Sequence, residues 1–68
     1  MTRRPTDPTG CVREVIARLP RPARVEDIGR RAGWDERRTR GALYALRDEG
    51  VVAKAGKDGE GFVLWGRA

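Results

Sequence analysis

The sequence predicts one small α+β domain, three short helices followed by a two-stranded β-hairpin. Three observations predict it. Apolar residues recur at helical spacing in three separate segments between Val12 and Leu46. The period changes after Gly50, where Val51-Val52-Ala53-Lys54-Ala55 and Phe62-Val63-Leu64-Trp65 read as strands. Between the strands, three glycines in the six residues 56–61 mark a hairpin tip that needs positive φ.

The first helix is predicted over residues 9–19. Val12, Val15, Ile16 and Leu19 fall at i, i+3, i+4 and i+7, and Pro20-Arg21-Pro22 stops the pattern. Ala23-Arg24-Val25 is short and suits a single β-bridge. The second helix is predicted over 25–32. Glu26 and Asp27 lie in its first turn and Arg30 and Arg31 in its last, as the helix dipole favours, and Gly33 stands at the C-terminal cap. The third helix is predicted over 36–49, with Asp35 as its N-cap and Gly50 beyond its end. Gly33-Trp34-Asp35 is a three-residue link between two helices, a helix-turn-helix spacing with glycine in the turn. The loop after the first strand reads as polar and mobile. Trp34 and Phe62 are expected in the core, and Trp65 either closes the core or lies beside the third helix.

Ahead of this domain (residues 9–68), residues 1–8 read as a flexible basic arm carrying Arg3 and Arg4. Asp7-Pro8 has a second reading, as N-cap and first residue of the first helix.

The chain has 68 residues, 38% of them hydrophobic and 37% charged. A chain this short buries only roughly 60% of the surface its unfolded form exposes. That leaves one small core and no room for an ordinary substrate cleft. A single cysteine, Cys11, excludes an intrachain disulfide and a cysteine-based zinc site. The absence of histidine removes Ser-His-Asp and Cys-His chemistry and His-ligated zinc. No apolar run approaches the roughly 18 residues that span a membrane, and no apolar stretch follows the charged N-terminus. The expectation is a cytoplasmic protein that is not an enzyme and uses no cofactor, metal or small-molecule effector.

Thirteen arginines and two lysines face ten acids, a net charge of +5. Two readings fit this balance: a polyanionic partner, nucleic acid being the commonest, or plain solubility. The excess is uneven. Residues 1–24 hold six arginines against two acids, whereas residues 35–50 hold four of each and are neutral. Helical spacing puts Thr39, Leu43 and Leu46 on one face of the third helix and Arg37, Arg40, Gly41 and Tyr44 on the other, with Arg38 at the flank. Arginine offers a two-pronged fork to guanine or phosphate, and Gly41 lets a ligand approach the backbone. The same stripe also reads as an ordinary solvated face. Lys54 and Lys57 are positioned to meet phosphates from the hairpin.

Helix, short strand, helix, turn, helix, strand, loop, strand is the order of the winged helix-turn-helix fold, and the resemblance spans roughly residues 9–66. Val25-Glu26-Asp27-Ile28-Gly29-Arg30-Arg31-Ala32-Gly33-Trp34-Asp35 resembles the second helix and turn of bacterial winged-helix regulators. Leu43-Tyr44-Ala45-Leu46-Arg47-Asp48-Glu49-Gly50-Val51-Val52 resembles their third helix running into the wing. The resemblance implies a transcriptional regulator whose third helix enters the major groove of double-stranded DNA. Lys54, Lys57 and the Arg3-Arg4 arm would then touch phosphates. A partial similarity to Z-DNA-binding winged-helix domains rests on Tyr44 and Trp65. In that family a helix Asn, a helix Tyr and a wing Trp grip the zigzag backbone. Here Arg40 stands at the Asn position and Lys57–Gly61 lacks the wing prolines. Winged helices also serve as protein-docking modules. With no segment left over for a dimerisation helix, a monomer or weak homodimer is expected.

Overall fold

A computed structural model describes residues 7–68. It is α+β: helices α1 (Pro8–Arg18), α2 (Val25–Ala32) and α3 (Glu36–Asp48), with strands β1 (Ala23–Arg24), β2 (Val52–Lys57) and β3 (Val63–Arg67). The strands form one antiparallel sheet in the order β1-β3-β2. The sheet thus has three strands where a two-stranded hairpin was expected. Ala23 and Arg24 pair with Trp65 and Leu64 and supply the third.

Local chemistry sets the helix ends. Pro8 opens α1, and the Asp7 carboxylate accepts from the Gly10 N–H at 3.4 Å. The arm residues Arg3 and Arg4 lie outside the described residues. Leu19 leaves α1 in an extended conformation, as a residue preceding proline must, so the helix stops one residue short of the expected 19. Gly33 ends α2 at φ 81°, and its N–H and that of Trp34 both reach the Gly29 carbonyl, at 2.8 and 2.9 Å. Gly50 ends α3 the same way, with its own N–H on Arg47 and that of Val51 on Leu46. Asp35 stands at the N-cap of α3, but its side chain makes no capping hydrogen bond. It points instead toward Arg38, 3.8 Å away.

The core is built from Val12, Ile16 and Leu19 of α1 and its end, Ile28 of α2, Ala42, Leu43 and Leu46 of α3, Val52 of β2 and Trp65 of β3. Every apolar position on the inner face of α3 is therefore used. Thr39, on the same face, is fully buried and polar. Its hydroxyl donates to the Asp35 carbonyl at 2.8 Å, which cancels most of the cost of burying it. Trp34 is only half-buried and Phe62 is 52% exposed, so neither sits in the core as expected. Phe62 lies just ahead of β3, where its ring is held at the surface by the Arg24 guanidinium, 4.4 Å from the ring centroid.

The strands also shift relative to expectation. Lys54 pairs with Trp65 and Lys57 with Val63, so Ala55 and Gly56 together oppose Leu64. This bulge carries the ladder past the expected end at 55 and shortens the loop.

Gly29 is the contact point between α2 and α3. A Cβ there would lie 2.7 Å from the Thr39 hydroxyl oxygen and 2.9 Å from the Trp34 carbonyl oxygen. Neither can move without breaking the α2–α3 turn. Gly29→Ala should therefore destabilise the fold by about 1–3 kcal/mol in chemical denaturation, as overpacking does. Gly41 is the control, because a Cβ there meets nothing within 4 Å. Gly41→Ala should raise stability by about 0.5–1 kcal/mol through helix propensity.

Candidate nucleic-acid interface

The outward face of α3 carries Arg37, Arg40, Gly41 and Tyr44, all exposed. This follows from the inner face, since burying Thr39, Leu43 and Leu46 turns the intervening positions to solvent. The sheet packs beside this face through one aromatic contact. Tyr44 and Trp65 meet edge to face with ring centroids 5.5 Å apart. Trp65 is 2% exposed and Tyr44 44% exposed, so the buried ring positions the accessible one. Lys54, opposite Trp65 in the ladder, places its ammonium 5.6 Å from the Tyr44 centroid and 5.7 Å from that of Trp65.

These residues line a groove of about 200 Å³ between α3 and the sheet. Arg40, Tyr44 and Glu36 form its helix side, and Lys54, Phe62 and Trp65 its sheet side. Arg24, Val25 and Glu26 close the end. Three cations thus face two carboxylates and three aromatic rings. Such a surface offers charge to phosphates and, through the exposed Tyr44 and Phe62, ring faces or edges to sugars and bases, with Trp65 buried beneath Tyr44.

The arginines differ in their freedom. The Arg40 guanidinium lies 3.4 Å from Glu36 and that of Arg38 3.8 Å from Asp35, each at helical spacing on the surface. Exposed pairs of this kind are worth little, so an incoming anion can displace them cheaply. Arg37 makes no ion pair with any described residue, so its fork is unengaged. Arg38 sits away from the groove, 5.8 Å from the Trp34 ring. Of the expected contact residues, then, Arg40, Tyr44, Lys54 and Trp65 converge on the groove. Arg37 and Gly41 extend the exposed helix face beyond it, and Arg38 flanks it. Lys57 is exposed at the far end of β2, beyond the bulge, and does not line the groove.

Arg24 and its partners are a part of this site that sequence reasoning missed. Its guanidinium pairs with Asp58 and, at 3.3 Å, with Glu60. It also lies 4.4 Å from the centroid of Phe62. The other Asp58 oxygen accepts from the backbone N–H groups of Glu60 at 2.9 Å and Phe62 at 3.0 Å. One carboxylate therefore organises the loop and ties it to β1, where a mobile tip was expected. The Asp58-Gly59 turn pair was a visible signal for the loop geometry. Nothing in the sequence pointed from Arg24 to a residue 34 positions away.

Desolvation pushes the Asp58 carboxyl up, but the N–H groups of Phe62 and Glu60 and the Arg24 guanidinium outweigh it and hold the group below its ordinary 3.8. Burial likewise opposes the charge on Arg24, while Asp58 and Glu60 outweigh it and raise its pKa. A lowered carboxyl stabilises the fold above the unfolded value near 3.8, and this contribution disappears as pH falls through the lowered folded value.

Among the described residues, no cluster of three or more His, Cys, Asp or Glu side chains could hold a metal ion. No helix among them is long and apolar enough to cross a membrane. Compared with models of protein families and with curated protein sequences, the chain matches none.

The loop arrangement predicts a pH titration. The amide resonances of Glu60 and Phe62 should hold steady from pH 7 to 5 and move together below about pH 4, as Asp58 protonates. In Asp58→Asn this low-pH transition should vanish. Its persistence would assign the transition to another carboxylate.

Proposed function

We propose that the chain is a winged helix-turn-helix protein that binds double-stranded DNA, with α3 as the reading helix and β2, the loop and β3 as the wing. The protein acts in this reading as a transcriptional regulator, not as an enzyme. One observation carries it: Arg40 and Tyr44 of α3 and Lys54 of β2 converge on a single groove, beside an exposed helix face that holds Arg37 and Gly41. Two elements distant in sequence thus present cations and a hydroxyl toward one ligand. The order of elements and the short β1 strand beside the wing support the same fold. Arg37 and Arg40 meet base edges, Arg38 and Lys57 meet flanking phosphates, and Arg3 and Arg4 supply further charge.

A second reading rests on the edge-to-face contact of Tyr44 with Trp65. It joins the helix Tyr and wing Trp that carry the similarity to Z-DNA-binding domains. In this reading the groove grips a zigzag phosphate backbone and ignores base sequence. Circular dichroism of an alternating dC-dG duplex separates the two. Inversion of the spectrum on adding protein supports the second reading, and binding with an unchanged right-handed spectrum supports the first.

Fluorescence anisotropy with duplex DNA tests the main proposal. Binding at low salt should be at least as tight as the roughly 10⁻⁴–10⁻⁶ M of nonspecific contact, and a weaker interaction would sink the proposal. Arg40→Ala should cost about 1–3 kcal/mol and relax preference at one base position. Lys54→Ala should weaken all duplexes alike and reduce the salt slope by about 1. Gly41→Ala should lose affinity although the fold is no weaker, because the added methyl group stands on the face that meets DNA.

A further inference from the structure

A second groove, of about 560 Å³, forms where the turn between α1 and β1 meets α2 and Leu64 of β3. No residue of α3 or β2 lines it. It shares only Arg24 with the DNA-facing groove, and the reading of its occupant does not rest on the DNA reading.

Its lining combines two characters. Four arginines, Arg21, Arg24, Arg30 and Arg31, face a single acid, Asp27. The DNA-facing groove has three cations against two acids, so the second groove carries the larger unbalanced charge. Arg24 is directed to Asp58 and Glu60, and Arg30 lies 3.8 Å from Asp27. Arg21 and Arg31 are exposed and make no ion pair with any described residue. The rest of the lining is apolar: Leu19, Pro20, Pro22, Ala23 and Leu64. Two prolines in three residues fix the backbone of this wall, so the groove is formed before anything binds.

Charge alone would suit a phosphate backbone. The apolar half of the lining does not, because a hydrated phosphate chain has nothing to bury against prolines and leucines. A polypeptide with carboxylates beside an apolar side chain uses both halves.

We propose that this groove docks an acidic segment of a partner protein that carries an apolar anchor. The carboxylates meet Arg21 and Arg31, and the anchor lies against the proline-leucine wall. Apolar contact and charge then act together, as in interfaces with a desolvated centre and a charged rim.

The test uses the full chain and two fluorescein-labelled eight-residue peptides, one alternating Asp and Leu, the other alternating Asp and Gly. The Asp-Leu peptide should bind saturably, and the Asp-Gly peptide about tenfold more weakly. Arg21→Glu and Arg31→Glu should each weaken the Asp-Leu peptide by about tenfold. Arg67→Glu, an exposed change of equal charge lining neither groove, should have little effect. Amide shifts on adding the peptide should cluster at Arg21, Ala23, Asp27, Arg31 and Leu64. Circular dichroism of each variant confirms folding. Equal binding of both peptides, an equal effect of Arg67→Glu, no saturable binding, or shifts centred on α3 would each overturn the proposal. So would duplex DNA shifting the same groove amides, which would make the surface a phosphate track.

Discussion

Trp65 holds the molecule together at the point where its parts would otherwise separate. It stands in the central strand, opposite Ala23 on one side and Lys54 on the other. Its ring is buried in a core to which all three helices contribute, and it meets Tyr44 at the surface. A three-stranded sheet this small has one face to bury, and a single indole covers much of it. Without that ring Val52 would be the one fully buried side chain of the sheet, with little reason for the sheet to lie against α3. The groove exists because the packing of Trp65 sets the distance between β2 and the outer face of α3.

Electrostatics acts on that frame by holding side chains in place. Arg24 is paired twice and stacked once, and Asp58 fixes the loop through two backbone N–H groups as well as through Arg24. Preorganised charge of this kind lowers the cost of ordering side chains when a ligand arrives. The pairs on α3 are looser. Glu36 and Asp35 restrain Arg40 and Arg38 at the surface without committing them. Arg24 lines both grooves, so the same residue that orders the wing also borders the second concave surface. The net charge of +5 is thus a poor guide to where a polyanion would sit. A neutral helix can face one if its arginines point outward, while most of the excess falls in residues 1–24 of the sequence.

Much of the fold was legible because its signals are local. Helical spacing located all three helices, and the span of α2 agrees with the expected 25–32. Gly33 and Gly50 marked two helix ends, and Pro20 a third. The misreadings have two causes, partners far along the chain and local choices that residue type does not decide. Phe62 read as core by residue type, yet it lies ahead of β3, exposed against Arg24. Asp35 read as a capping side chain, yet its carboxylate makes no capping hydrogen bond and lies toward Arg38, three residues on. The third strand was only suggested by Ala23-Arg24, because two residues carry no period. In the candidate site, the α3 stripe was legible from spacing. The convergence of Lys54 on Tyr44 and Trp65 required the register of β2 against β3. The pairing of Arg24 with Asp58 required the whole fold.

If α3 and the sheet form one surface for nucleic acid, both must respond together when DNA is added. The most direct measurement is a heteronuclear NMR titration with a short mixed-sequence DNA duplex. Shifts are expected at the amides of residues 37–44 and 54 and at the Trp65 indole N–H, with the core amides of α1 unchanged. Shifts confined to other surfaces, or none at millimolar protein and low salt, would contradict a shared surface.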